Sequence, residues 1–184
     1  MREFDLQYWK DKAWKKYGRA LSSGEDQSKK EIEWALEVLC ISDLHVINEW
    51  CKNKGLKVVF GKISNGNFFE SEKKIAVASS APPRTQVIIL LHECGHYLIG
   101  GADDHERFGM GYPQVDPQIT KTFRHRISCL EEEMEAWHRG WKLSKRLGLR
   151  IDKDSYDQYK LKCLRSYVKW TLRPGTFKPE GIEE

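Results

Sequence analysis

Two histidines four residues apart, with a glutamate directly after the first, are the residues of this sequence best suited to chemistry. His92, Glu93 and His96 form the pattern His-Glu-x-x-His within an apolar stretch. On a helix, residues i and i+4 share one face with Cβ atoms about 5–6 Å apart, so both imidazoles can bind one zinc ion. Glu93 points aside from that ion and can act as a general base toward a water molecule. The pattern therefore predicts a metal site with an open position, suited to hydrolysis.

The alternative interpretation is that His92 and His96 are core histidines whose ring nitrogens bond to backbone groups. The flanking residues 87–91 and 97–98 are strongly apolar, so the helix is expected to be largely buried. Burying two imidazoles and a carboxylate on one apolar turn is costly unless they share a partner. A common metal ion explains all three groups at once, which favours the metal interpretation.

A hydrolytic zinc site usually has three protein ligands and a water molecule, so a third ligand is needed. The pattern His-Glu-x-x-His-x-x-Gly-x-x-His is excluded because Ile99 and Ala102 occupy its last two fixed positions. Three further potential ligands follow two glycines on a predicted loop: Asp103, Asp104 and His105. A glutamate from a second helix is the better candidate, and residues 130–137 contain four: Glu131, Glu132, Glu133 and Glu135.

A helical wheel separates these four glutamates. At about 100° per residue, Glu133 lies in the middle of the arc that is expected to be buried, and Glu132 lies at its edge. Glu131 and Glu135 point away from this arc toward solvent. Two small residues farther along would let the helix approach another backbone closely: Ala136 and Gly140. We therefore predict Glu133 as the third ligand and keep Glu132 as the alternative.

With these residues in place, the sequence resembles the gluzincin-like metallopeptidases of the ImmA/IrrE type, many of which occur in phages and mobile elements. The resemblance is carried by residues 92–96 and by the stretch EMEA at 133–136, which is similar to the family's downstream E-x-E-A segment. SprT-like proteases share the first motif and remain an alternative. The resemblance covers residues 56–148 and implies these roles: zinc ligands His92, His96 and Glu133, with Glu93 as general base.

The resemblance also suggests where a substrate would bind. In zincins generally, an edge strand beside the active-site helix binds extended peptide by adding it to the sheet. The predicted strand at 74–79 resembles that strand in position, and its apolar alternation is compatible with the role. The alternative is an ordinary packed strand.

The order of the predicted elements indicates an α+β fold, zincin-like, with a small sheet between helices. A capping box at Ser28 and Glu31 opens the second helix, and an Asn-Gly turn at 65–66 predicts a hairpin from the strand at 57–63 to a returning strand at 68–69. Helices are predicted over five segments: 2–21, 28–55, 85–99, 116–148 and 155–172.

We expect one zincin-like domain over residues 1–184, and 184 residues are ordinary for a single domain. Within it, the N-terminal helices span 1–55, the metallopeptidase core 56–148, and the C-terminal helix and tail 149–184.

Composition favours a cytoplasmic protein. No apolar run approaches the roughly 18 residues of a membrane span, and the N-terminus lacks the apolar segment of a signal peptide. Five cysteines, an odd number without a CxxC pair, suit a reducing compartment. The formal charge of +4 permits an acidic partner without requiring one.

The leading hypothesis is a zinc metallopeptidase that cleaves an intracellular protein or peptide. A second hypothesis is a zincin scaffold that binds a host or partner protein without hydrolysis, although an intact Glu93 argues against it. A third is a protease acting on DNA-bound proteins. Basic residues at 142–150 could contact nucleic acid, but Asp152 and Asp154 interrupt the basic run, which favours a solvated helix face. Cys94, between the histidines, is interpreted as a small buried residue.

Overall fold

The computed structural model describes residues 2–22, 27–63, 65–100 and 122–172. Within these ranges the chain forms five helices: α1 (Leu6–Ser22), α2 (Gln27–Asn53), α3 (Pro83–Ile99), α4 (Phe123–Arg146) and α5 (Lys153–Leu172). The same ranges contain four strands: β1 (Arg2–Glu3), β2 (Lys57–Gly61), β3 (Gly66–Phe69) and β4 (Lys74–Ala78). The predicted α+β class is confirmed. Several sequence-based candidates lie outside the described residues: Asp103, Asp104, His105 and the helix start near residue 116.

The chain divides into two compact units. The first contains residues 1–90 and 146–151, and the second contains residues 91–145 and 152–184. Helix α3 begins in the first unit, and its second half, which carries both histidines, belongs to the second. The single zincin-like domain stays a prediction.

The sheet of the first unit has the strand order β1-β2-β4-β3. Strand β2 pairs with β4 in parallel, and β3 pairs with β4 antiparallel, so the predicted hairpin between β2 and the following strand is wrong. The sharp turn lies instead between β3 and β4, where the backbone N–H of Lys73 donates to the carbonyl of Glu70 and Lys73 has a φ of 45°. Periodicity identifies strands but leaves their pairing open, because pairing depends on contacts that are distant in sequence.

Strand β4 lies inside the sheet, between β2 and β3. The expectation that residues 74–79 form an edge strand is therefore wrong, and the alternative of an ordinary packed strand is confirmed. Four of the five residues of β4 are buried, as expected of a strand paired on both sides. Among the described strands, β1 and β3 form the two edges.

The first helix begins four residues later than predicted. Arg2–Glu3 extends the sheet by pairing antiparallel with β2. Asp5 then caps the helix, because its Oδ1 accepts hydrogen bonds from the backbone N–H groups of Gln7 (2.9 Å) and Tyr8 (3.1 Å). The capping aspartate was the sequence signal for this start.

Helix α2 ends where the sequence predicts, near Gly55. The N–H of Gly55 donates to the carbonyl of Lys52 (2.9 Å), and that of Leu56 donates to the carbonyl of Cys51 (2.9 Å). This is a Schellman cap, which needs the left-handed backbone that Gly55 adopts at a φ of 73°. The start at Gln27 precedes the predicted cap Ser28 by one residue.

Helix α3 runs from Pro83 to Ile99, which confirms the predicted helix over 85–99. Its first residue is a proline, which fits the first helical position because no N–H bond is needed there. Residues 87–91 are buried, as their apolar character predicts. Within the described residues, no helix combines the length and apolar character needed to cross a bilayer.

Candidate metal centre

Two glycines bring the backbones of α3 and α4 together within the second unit. A Cβ atom at Gly95 would lie 1.9 Å from the carbonyl oxygen of Ala136, and one at Gly140 would lie 2.4 Å from the carbonyl oxygen of Leu91. Real Cβ contacts are never this short, so any larger residue would force the helices apart. The close approach predicted from the small residues of α4 is therefore present, with Gly95 as its counterpart on α3.

This crossing brings the three predicted ligands together. Nε2 of His92 lies 3.3 Å from Nε2 of His96 and 3.3 Å from Oε2 of Glu133. Nε2 of His96 lies 3.3 Å from Oε1 of Glu133. In the part of the chain that the structure describes, these residues form the one group of three potential ligands with all donor atoms within 4.8 Å of one another.

The spacing and the chemistry of these donors fit zinc. Tetrahedral bonds of 2.0–2.1 Å place neighbouring ligand atoms about 3.3–3.4 Å apart. The three donor separations of 3.3 Å match that spacing. Two imidazoles and one carboxylate are also a donor set of hydrolytic zinc sites, which keep the fourth position open.

Burial and charge favour a cation at the centre of this cluster. Burial raises the pKa of Glu133, but His96 and His92 outweigh that effect and hold its pKa below the ordinary 4.5. Burial lowers the pKa of His96, yet the carboxylates of Glu133 and Glu132 outweigh it, and the pKa lies well above 6.5. The ionised carboxylate of Glu133 therefore stabilises a positive charge beside it, either a proton on His96 or a bound cation.

The predicted alternative ligand, Glu132, lies on the other side of His96. Its Oε1 is 3.5 Å from Nδ1 of His96, whereas Glu133 faces Nε2. A carboxylate beside the far nitrogen of a metal-binding histidine fixes the tautomer and the orientation of the ring. The carboxylate of Glu133 therefore belongs to the group of three potential ligands, whereas that of Glu132 lies on the opposite side of the His96 ring.

The predicted general base, Glu93, is buried in the same turn of α3 as His92, with 4% of its surface exposed. Its negative charge contributes to the raised pKa of His96. Burying a carboxylate in an apolar helix is costly, and hydrogen-bonding or oppositely charged groups offset that cost. The role of Glu93 as a general base stays a prediction.

Trp137 fixes the ring of His92. The two rings stack with centroids 4.1 Å apart and planes 15° from parallel. Among the described residues, Nδ1 of His92 is buried without a hydrogen-bond partner. The stacking contact with Trp137 restricts the orientation of the His92 ring.

The other glutamates of α4 and the cysteines lie outside the group of three potential ligands. Glu131 is exposed, as predicted. Glu135 was also predicted to point toward solvent, but it is half-buried because its carboxylate lies against Arg139 in an ion pair of 2.8 Å. Cys94 is fully buried, in agreement with its interpretation as a small core residue. Burial raises the pKa of Cys129 to about 12, so it remains a thiol. The five cysteines all lie within the described residues, and none of them forms a disulfide bond.

Sequence reasoning did not single out Tyr167 of α5. Its Oη donates a hydrogen bond of 2.8 Å to Oε1 of Glu133. The available signal was its place on the apolar face of α5, eleven residues after Tyr156, because a tyrosine on a buried face requires a partner for its hydroxyl group. The sequence does not identify that partner.

Comparison with protein-family models, with curated proteins and with solved structures finds no match to this chain.

Proposed function

We propose that this protein is a zinc-dependent metallopeptidase with a zincin-like site, in which His92, His96 and Glu133 bind the metal. The observation that carries the proposal is the convergence of these three donors from two helices, at separations of 3.3 Å. The close contact of α3 with α4 at Gly95 and Gly140 supports the same conclusion, because it holds the two helices at the distance that a shared ion requires.

Zinc held by these residues would act as a Lewis acid that activates water and polarises the scissile carbonyl. The chain itself would supply the proton transfer. The carboxylate of Glu93 accepts a proton from the attacking water and delivers it to the leaving amine nitrogen. Burial of this turn of α3 keeps other water away from the charged groups and strengthens their interactions.

The decisive variant is Glu93→Gln, which keeps the shape of the side chain but cannot accept the proton. A peptide library from a whole-proteome digest serves as substrate, and mass spectrometry identifies new amino termini. We expect the wild type to cleave peptides and the variant to cleave them at least 100-fold more slowly. The zinc content and the melting temperature of the variant should be unchanged.

Glu131→Gln is the matched control, because it makes the same chemical change at an exposed position. This control is expected to cleave like the wild type. Equal cleavage by Glu93→Gln would overturn the role of Glu93. A zinc-loaded wild type that cleaves nothing would instead support the non-hydrolytic scaffold.

A further inference from the structure

We infer that Tyr167 is a positioning residue of the metal centre, which fixes the carboxylate of Glu133 so that it binds zinc in one orientation. The inference rests on the proposed function and extends its site to α5, a helix outside the segment that resembles known metallopeptidases. It assigns Tyr167 an effect on metal affinity that a purely structural tyrosine would not have.

The hydrogen bond from Tyr167 reaches the ligand itself. Its Oη lies 2.8 Å from Oε1 of Glu133, and the same carboxylate presents Oε2 to Nε2 of His92 at 3.3 Å. A phenol keeps its proton at neutral pH and an ionised carboxylate can only accept, so the direction of this bond is fixed. Tyr167 thereby restricts the rotation of the carboxylate about its terminal bond.

Helix α5 is anchored to α4 on both sides of this contact. Oη of Tyr156 donates to the carbonyl of Trp137 (2.8 Å), and Nε of Arg126 donates to the carbonyl of Thr171 (3.3 Å). Tyr167 lies between these two anchors in sequence. Its hydroxyl group is therefore held in place before any metal binds, which lowers the entropy cost of ordering Glu133.

The effect should appear in metal binding. Groups that hydrogen-bond to metal ligands typically contribute 10–100-fold to affinity. We therefore expect Tyr167→Phe, which removes only the hydroxyl group, to weaken zinc binding by about 10–100-fold. The affinity is measured by competition with a chromophoric chelator, and the visible spectrum of the cobalt-loaded protein reports the coordination geometry.

The chain offers a closely matched control in Tyr156→Phe. It also removes a phenolic hydrogen bond of 2.8 Å from α5 to α4, but that bond ends on a backbone carbonyl. Both variants are expected to lower the melting temperature of the metal-free protein. Only Tyr167→Phe is expected to weaken zinc binding and alter the cobalt spectrum.

The outcomes separate this inference from the proposed function. Zinc binding by the wild type with equal affinity in Tyr167→Phe and Tyr156→Phe would overturn the positioning role and leave the metal centre intact. A wild type that binds no zinc would overturn the metal centre and the inference together.

If Tyr167→Phe is unfolded without metal, the zinc concentration that restores its helical circular dichroism is compared with that for Tyr156→Phe. A higher concentration for Tyr167→Phe would support the positioning role, and equal concentrations would overturn it.

Discussion

Two adjacent glutamates on α4 contact the same histidine from opposite sides. Glu133 faces Nε2 of His96 at 3.3 Å, and Glu132 faces Nδ1 at 3.5 Å. The first position suits a metal ligand, whereas the second suits a group that orients the ligand. Consecutive residues on a helix point about 100° apart, which allows one dipeptide to supply both roles.

We predict different effects when each glutamate is changed to glutamine. Glu133→Gln removes a charged ligand, so zinc affinity should fall by roughly 1000-fold or more. This loss exceeds the 10–100-fold that is typical when a group hydrogen-bonded to a ligand is removed. Glu132→Gln removes only an orienting charge, so the loss should be about 10-fold. Chelator competition measures both values. A larger loss in Glu132→Gln than in Glu133→Gln would reverse the assignment.

A buried aspartate in the first unit gives a prediction about pH. Burial raises the pKa of Asp43 above the ordinary 3.8, although a hydrogen bond from the backbone N–H of Arg150 (3.1 Å) partly offsets it. Because the folded-state pKa is raised, the ionised form costs stability at neutral pH, and this cost disappears as pH falls through that pKa.

Asp43→Asn should therefore raise the urea midpoint of unfolding at pH 7, since the amide oxygen can still accept the hydrogen bond from Arg150. The advantage over the wild type should shrink steadily as pH falls toward 3.8. Urea titrations of both proteins over this range provide the check. A midpoint difference that does not change with pH would exclude burial of the charge as its cause.

At the residue scale, the donor set was predictable but its supporting groups were not. The spacing of His92 and His96 and the central place of Glu133 on the helical wheel both follow from helix periodicity. The contacts of Trp137 and Tyr167 depend on how α3, α4 and α5 pack. That packing joins residues far apart in sequence, so a local pattern does not reveal it.

At the element scale, the crossing of α3 and α4 determines whether the ligands meet. Its two contact points are glycines whose missing side chains face backbone carbonyls, Gly95 against Ala136 and Gly140 against Leu91. Backbone cannot move aside as a flexible side chain can, so the geometry of the candidate metal centre depends on these two positions.

Gly95→Ala should therefore impair both folding and metal binding. A clash at 1.9 Å with the Ala136 carbonyl requires the helices to separate, for which we expect a loss of about 2–3 kcal/mol in stability and more than roughly a 10-fold loss of zinc affinity. Chemical denaturation and chelator competition measure the two effects.

Gly55→Ala provides a control for destabilisation alone. Gly55 has no neighbour within 4 Å of an added Cβ atom, but its φ of 73° costs an alanine about 1 kcal/mol. The zinc affinity of Gly55→Ala should equal that of the wild type. If both variants bind zinc as tightly as the wild type, the crossing does not control the site.

Helices and strands of this chain were predictable to different degrees. Each of the four described helices after α1 begins or ends close to its predicted position, since caps such as Gly55 and the proline at 83 act locally. Strands β2, β3 and β4 were located correctly, but β1 was predicted as the start of the first helix and the pairing of β2 with β3 was wrong. Strand β4 is central because a short turn joins it to β3 and because it also pairs with β2. The alternation of apolar residues predicts neither of these pairings.

At the scale of the whole molecule, metal binding should be linked to folding. The proposed ligands come from α3 and α4, and an unfolded chain does not hold them together, so zinc is expected to favour the folded state. At a free zinc concentration 100 times the dissociation constant, the stabilisation is about 2.7 kcal/mol.

For a chain of this size, we expect this stabilisation to raise the melting temperature by about 5–10 °C. Removing zinc with a chelator should reverse the shift, and His92→Ala should show no shift at all. Calorimetric scans with and without zinc measure it. A melting temperature that is insensitive to zinc in the wild type would contradict this linkage.

The most direct test of the proposed metal centre is zinc K-edge X-ray absorption on protein purified without chelators, together with its metal content. We expect one zinc ion per chain, bound by two imidazole nitrogens at about 2.0–2.1 Å and by oxygen, and loss of this signal in His96→Ala. Protein without zinc, or zinc bound by sulfur, would contradict the proposal.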